Sequence, residues 1–258
     1  MLKFSLSFYL SFSLFSGLAF CAPTIPTGNE ILTKIQNNME MKSDIKANVK
    51  LTQQKTEQGI KNIELIYYRS DKDDNFLIIM TAPEVEKGNG YLRTGDNFWM
   101  YRQNTRTFQH INRDENIAGT NAKGDDFEKK KLTDLYIVNK DKSGREIISE
   151  ENLGNVAVYK VETVAKVNDV DYPKKIMWVQ KDKNLTLKEQ SYSSTGTLME
   201  TAYFLQYTTV NGRYIPIKQI YIDEFEKGNK TIVEISAIAT EKLDDKIFTK
   251  AYLENLSK

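Results

Sequence analysis

Side chains suited to catalysis are scarce in this sequence. His110 is the only histidine and Cys21 the only cysteine among 258 residues. A structural zinc site takes four Cys or His ligands, so these two residues do not predict one. A Ser-His-Asp triad would have to use His110, and no serine lies in a nucleophile-elbow motif. The sequence therefore predicts no enzyme, no metal centre and no cofactor site.

Paired carboxylates occur at three places, but each pair favours a turn rather than a site. The pairs are Asp73-Asp74, Asp125-Asp126 and Asp244-Asp245, all in predicted turns or loops, where aspartate is favoured for turn geometry alone. The stretch DKDDN at 71–75 resembles the start of a calcium loop. It lacks the later glycine and the terminal glutamate that such a loop needs. We therefore interpret these pairs as solvated turns.

The overall charge excludes one class of partner. Lys and Arg number 36, against 35 Asp and Glu. A surface that binds the phosphate backbone needs an excess of cations. No nucleic-acid partner is therefore expected.

The first 21 residues predict a secretory signal peptide. Apart from Lys3, residues 1–20 carry no charge and are rich in Leu, Phe and Ser. A basic start followed by an apolar stretch too short and serine-rich for a membrane span is typical of such a signal. We expect an exported, periplasmic protein with a linker over residues 22–28 and a single domain over residues 29–258.

Cys21, at the end of the signal, leaves two interpretations open. Leu18 and Ala19 before it resemble a bacterial lipobox, although Phe20 stands where that motif has a small residue. In one interpretation a diacylated Cys21 tethers the protein to a membrane. In the other, ordinary cleavage near Ala22 removes it. The absence of a second cysteine to pair with favours lipidation, so we predict a lipid anchor at Cys21.

The rest of the chain predicts one helix followed by a long run of strands. Asn29–Met41 has apolar residues at helical spacing, and from Ala47 onward the pattern alternates with period two. Short helical pieces are also expected at Phe127–Leu135 and Phe248–Leu256. A meander this long must curl to avoid bare edges. We predict a mainly β (α+β) fold, a strongly curved open half-barrel of about eleven antiparallel strands with its few helices in the concave face.

Bulky apolar residues on both faces of two predicted strands indicate what the fold could hold. Ordinary core packing explains any one of them. Together they predict a concave apolar face too large for the few helices, and hence a hydrophobic cavity suited to acyl chains. The candidate lipid-binding residues are Tyr91, Phe98, Trp99, Met100, Tyr101, Ile176 and Trp178.

Three stretches of the chain resemble a known family. In their order and spacing they are similar to the bacterial outer-membrane lipoprotein-sorting proteins with the LolA/LolB-like fold, and the likeness spans Ile31 to Leu253. The first contains Pro83, Lys87-Gly88, Gly90-Tyr91-Leu92, Gly95-Asp96 and Trp99-Met100-Tyr101; the second Gly119-Thr120 and Asp125-Asp126-Phe127; the third Tyr172-Pro173-Lys174-Lys175, Trp178-Val179, Lys188-Glu189 and Gly196.

The resemblance implies an open β-barrel with a helical lid, whose apolar interior shields lipid or lipoprotein acyl chains in transit toward the outer membrane without catalysis. It names an inner-membrane transporter and an outer-membrane acceptor as candidate partners. The family often has an Arg-Arg-Ile run where this chain has Phe108-Gln109-His110-Ile111, so no role for paired arginines is carried over. Arg93 and Arg106 are the candidates for a lid-locking arginine. The alternative is a tethered envelope lipoprotein of the same fold that acts as a protein-interaction or transporter-accessory subunit.

Overall fold

The computed structural model describes residues 25–112, 115, 117 and 131–256. Its helices are α1 (Gly28–Met39), α2 (Leu132–Leu135) and α3 (Lys250–Leu256), with a 3₁₀ helix at Asp245–Phe248. Its strands are β1 (Ile45–Lys55), β2 (Gly59–Arg69), β3 (Phe76–Ala82), β4 (Gly90–Thr94), β5 (Asn97–Arg102), β6 (Thr107–His110), β7 (Tyr136–Val138), β8 (Ile148–Leu153), β9 (Val156–Ala165), β10 (Lys174–Gln180), β11 (Thr186–Tyr192), β12 (Leu198–Val210), β13 (Arg213–Asp223) and β14 (Lys230–Ala239). None of these helices is long and apolar enough to cross a membrane.

The described strands form one antiparallel sheet. Their order is β6-β5-β4-β3-β2-β1-β14-β13-β12-β11-β10-β9-β7, and β8 also pairs with β9. Strand β1 lies between β2 and β14, so a single long ladder joins the first six strands to the last eight. Within the described ranges no pairing joins β6 to β7, and the sheet is open. The predicted mainly β, open and curved antiparallel sheet is confirmed.

Among the described residues the sheet has fourteen strands, more than the predicted count of about eleven. Strands β7 and β8 were not predicted, and both pair with β9. Strand β7 has only three residues, and β8 exposes its four central residues. A period-two signal needs a longer strand with one buried face, so neither strand carries it.

Helix α1 begins where the sequence supplies a cap. The Thr27 hydroxyl accepts a hydrogen bond from the Glu30 amide at 3.3 Å, and the Glu30 carboxylate accepts one from the Thr27 amide at 2.8 Å, which completes a capping box. The helix buries Ile31, Leu32 and Ile35 against residues of β7, β9 and β10. We call the sheet face that α1 covers the inner face.

Strands β2 to β5 are apolar on both faces. Alternate residues form one buried cluster on the inner face and a second on the opposite, outer face. The inner face is continuous across the sheet, because the register leads from Leu51 to Val233 and on through β13 to Phe204. The inner cluster contains Leu51, Ile63, Leu65, Phe76, Ile78, Met80, Tyr91 and Phe98, and the outer one contains Tyr68, Leu77, Ile79, Leu92 and Tyr101.

The prediction that the helices share one face is wrong for the C-terminal segment. Phe248 of the 3₁₀ helix and Leu253 of α3 pack into the outer cluster, opposite the face covered by α1. A strand that is apolar on both faces must have both covered, and this segment covers the outer one. Gly90 permits the close approach, since a Cβ there would lie 2.6 Å from the Leu253 Cδ1 and 2.7 Å from the Ile78 carbonyl oxygen.

Several predictions fall outside the described residues. These are the signal peptide over residues 1–21 with Cys21, the first part of the linker, and the stretch from Gly119 to Phe127. Of the linker, residues 25–27 are non-helical, and α1 starts at Gly28, one residue before the predicted helix.

Candidate functional site

A cavity of about 300 Å³ lies between the second half of α1 and the inner face of the sheet. The segment just after α1, the start of α2 and strands β2, β10, β11 and β12 complete its wall. The lining residues are Ile35, Gln36, Met39, Glu40, Met41, Arg69, Lys131, Leu132, Met177, Thr186, Glu189, Phe204 and Tyr207.

Most of the cavity wall is apolar. Ile35 and Met39 come from the inward side of α1, and Met177 and Phe204 come from strands across the cavity. The strand period places Met177 on the inner face and its neighbour Trp178 on the outer face. The Phe204 ring lies 6.5 Å from the Tyr207 ring, centroid to centroid, in a stacked arrangement. An unbranched hydrocarbon chain therefore finds apolar contacts on both sides of the cavity.

Two neutral polar side chains of the wall, Tyr207 and Gln36, are bonded to the protein. The Tyr207 hydroxyl donates to the Thr186 carbonyl oxygen at 2.6 Å, and burial raises the pKa of Tyr207, so the phenol stays neutral. The Gln36 side-chain oxygen accepts from the Thr133 hydroxyl at 2.7 Å and thereby ties α1 to α2. These groups close the cavity without adding charge to it.

A partly buried ion pair stands at the cavity wall. The Lys175 Nζ lies 2.7 Å from the Glu189 Oε1, and the two side chains are 21% and 18% exposed. Burial acts to lower the pKa of Lys175, but the Glu189 carboxylate and the Tyr136 side chain outweigh it, and the pKa is raised. Lys175 therefore remains charged and balances Glu189.

Arg69, at the end of β2, is a wall residue with few hydrogen bonds among the described residues. Its Nη2 donates to the Met41 carbonyl oxygen at 3.4 Å and lies 3.9 Å from the Asp71 Oδ1. Its Nε is buried without a hydrogen-bond partner in the described structure. The side chain is 14% exposed. The guanidinium has five N–H donors, and among the described residues only the bond from Nη2 to Met41 is formed.

The described residues hold no group of three or more His, Cys, Asp or Glu side chains that could bind a metal ion. His110, on β6, is exposed, and its ring meets the Trp99 ring edge-on at 4.9 Å. Among the predicted lid-locking arginines, Arg93 pairs with Asp74 at 3.1 Å and Arg106 lies in the turn before β6. Neither lines the cavity, whereas Arg69, which the sequence did not single out, does.

The structure divides the predicted residues of β4 and β5 between the two faces. Tyr91, Phe98 and Met100 belong to the inner-face cluster, where the Phe98 ring lies 6.1 Å from the Tyr91 ring. Trp99 and Tyr101 point to the outer face and pack against the C-terminal segment. The Lys250 Nζ lies 3.0 Å from the centroid of the Trp99 ring. The two outward residues thus hold the C-terminal helix in place.

The predicted pair on β10 also lies on the outer face. The Trp178 indole N–H donates to the Glu151 carboxylate, and the Lys188 and Lys160 Nζ atoms lie 4.4 and 5.2 Å from the Trp178 ring centroid. Ile176 shares that face by strand alternation.

None of the seven predicted residues lines the cavity. Their contact with lipid stays a prediction, and a ligand in this cavity meets other side chains. Three of those could have been found from the sequence, because Ile35 and Met39 lie on the apolar side of the predicted helix, and Met177 lies on the opposite strand face from Trp178.

Comparisons with known proteins agree with this architecture. A family model matches residues 72–255, well over half of the chain, and the family is described as "Uncharacterized protein". The chain belongs to that family. No curated protein matches the sequence. The description of the family therefore assigns no activity to this chain.

Solved structures show what fold this family member has. A LolA superfamily protein from Nitrosomonas europaea matches with a TM-score of 0.70 at 20% identity, over 88% of this chain and 100% of that one. An outer membrane lipoprotein-sorting protein domain from Vibrio parahaemolyticus matches with a TM-score of 0.73 at 17% identity, over 88% and 98%. The resemblance to the lipoprotein-sorting proteins is thus confirmed, and the chain has the LolA-like fold.

Proposed function

We propose that this protein is a non-catalytic carrier or acceptor that shields the acyl chains of lipoproteins or lipids during transfer toward the outer membrane. The observation that carries the proposal is the apolar cavity of about 300 Å³ between α1 and the inner face of an open sheet. Burial of hydrocarbon alone contributes about 0.8 kcal/mol per CH₂ group, so no specific polar contact is needed to hold a chain. The LolA-like fold supports the same function.

The cavity also favours this function over the alternative of a cargo-free interaction or transporter-accessory subunit. Such a subunit has no need of an internal space and could fill it with its own side chains. Here Met39, Met177 and Phe204 surround a space instead of closing it. Methionine side chains adapt to ligands of different shape, which suits a carrier of varied acyl chains.

A paired substitution on β12 tests the proposal. Phe204 lines the cavity, and its neighbour Leu205 is 54% exposed and does not. We expect Phe204→Glu to weaken binding of a fluorescent fatty acid at least about tenfold, because an unpaired carboxylate in an apolar cavity is costly to desolvate. Leu205→Glu should leave the affinity within about twofold. Fluorescence titration gives both values.

Native mass spectrometry of gently extracted protein supplies the complementary measurement. We expect a mass increment that corresponds to a bound lipid or lipopeptide, reduced in Phe204→Glu and retained in Leu205→Glu. A protein that is consistently empty and also ignores the fluorescent fatty acid would contradict the proposal.

We further propose a periplasmic location with a lipid anchor at Cys21. Mass spectrometry of the mature N-terminus should find a chain that starts at Cys21 with a diacylglycerol mass, and Cys21→Ala should move the protein from the membrane fraction to the soluble fraction. A mature chain that starts at Ala22 would instead indicate a soluble shuttle.

A further inference from the structure

We propose that Arg69 gives the cavity a preference for acyl ligands with an anionic head group, a carboxylate or a phosphate. This inference rests on the proposed acyl-binding function and adds the chemistry of the head group to it. The apolar wall explains why a hydrocarbon tail binds, but it does not explain why a guanidinium belongs to the same wall.

The contacts of Arg69 leave room for a ligand. Its hydrogen bond to the Met41 carbonyl oxygen is long, at 3.4 Å, and its distance to the Asp71 carboxylate, 3.9 Å, is at the limit of an ion pair. The buried Nε has no partner among the described residues. An anion that accepts hydrogen bonds from the N–H groups that Arg69 presents to the cavity would form charge-assisted bonds, which are stronger than those of a neutral head group.

The neighbouring charges allow an anion at this place. Glu189 is neutralised by Lys175 at 2.7 Å, so its charge does not oppose a second anion. Lys131 adds another cation to the lining, and Glu40 is the remaining acid there. Carboxylate and phosphate oxygens both match the planar donor fork of a guanidinium.

The apolar lining residues and Arg69 lie on different parts of the sheet. Met177 and Phe204 belong to the C-terminal half of the sheet, whereas Arg69 belongs to β2 in the N-terminal half. An amphiphile whose tail contacts the first two can place its head group at the third. A ligand with a single tail and an anionic head group can therefore contact both the apolar residues and Arg69.

Chain-matched ligands test this preference directly. Tetradecanoate, tetradecyl phosphate, tetradecanol and tetradecylammonium would each displace the uncharged probe N-phenyl-1-naphthylamine from the wild-type protein at neutral pH. We expect the two anions to act at about tenfold or more lower concentration than the alcohol, and the cation to act most weakly. The stronger of the two anions identifies the head group.

The variant Arg69→Gln tests whether the preference for anionic head groups depends on Arg69. It should bring both anions to within about twofold of tetradecanol while the alcohol itself binds as before. Arg102→Gln, at an exposed arginine on β5, is the matched control and should keep the wild-type preference. A thermal melt of each variant checks that it is folded.

Three results would overturn the inference. One is equal displacement by anion and alcohol in the wild-type protein, and this comparison stands even where Arg69→Gln does not fold. Another is a loss in Arg69→Gln that is equal for all four ligands. The third is an absence of binding by the probe and every ligand, which would overturn the proposed function as well, whereas the first two leave acyl binding intact.

Discussion

Replacing Leu253 with alanine is expected to lower the free energy of unfolding by about 2–5 kcal/mol. Leu253 is fully buried and joins the outer-face cluster, where Leu77 and Leu92 are also buried. Removal of its side chain leaves a cavity between α3 and the sheet. The helix has seven residues, too few to be stable alone, so the loss of this anchor should release it.

The same helix provides the control. Leu256 is 46% exposed, and Leu256→Ala should change the free energy of unfolding by less than about 0.5 kcal/mol. Urea unfolding gives the free energy of unfolding of both variants, and the two values are comparable when the m-values are equal. Equal effects of the two substitutions would contradict the packing of α3 described above.

Lys175→Met is the second substitution with a large expected effect. It leaves the Glu189 carboxylate without its partner at 2.7 Å. Removal of one member of a fully buried pair typically costs about 3–5 kcal/mol, and since both side chains keep about a fifth of their exposure we expect about 2–3 kcal/mol here. The double variant Lys175→Met with Glu189→Met should recover much of the loss, because no charge is then left unpaired.

An exposed ion pair on the same sheet is the comparison for Lys175. Lys218 and Glu234 lie 3.2 Å apart with both side chains 44% exposed, and Lys218→Met should cost less than about 1 kcal/mol. Chemical unfolding at neutral pH measures the free energy of unfolding of both variants. If Lys175→Met lowers the free energy of unfolding no more than Lys218→Met does, the Lys175–Glu189 pair is solvated.

The contribution of the Lys175–Glu189 pair to stability depends on pH through the raised pKa of Lys175. A lysine whose pKa is higher in the folded state contributes its full stability below the unfolded pKa of about 10.4 and loses it as the pH rises through the folded value. The difference between the wild-type protein and Lys175→Met should therefore be constant across the neutral range and shrink only in strong alkali.

Local patterns were sufficient to predict most of the sheet. Helix α1 was placed within two residues at each end, because its apolar spacing is encoded locally. Strands with one buried face were predicted for the same reason. The short β7 and the exposed β8 were missed, since their pairing with β9 depends on tertiary structure and leaves no periodic signal.

The candidate site was harder to predict, for a physical reason that β5 and β10 illustrate. Alternation shows that Phe98 and Trp99 point in opposite directions, but it does not show which direction holds a ligand and which a helix. The large aromatic residues Trp99 and Trp178 drew attention, yet both lie on the outer face. Less conspicuous residues, such as Met177, face the cavity.

The ladder between β1 and β14 makes the order of synthesis matter for folding. Until residues 230–239 have been made, β1 has β2 as its only neighbour and presents a row of unpaired backbone groups on its other side. This contact links residues nearly two hundred positions apart in sequence, and such distant pairings form late. A nascent chain therefore carries this exposed edge while residues 56–229 are made, and protection of the edge by a chaperone is most useful during this interval.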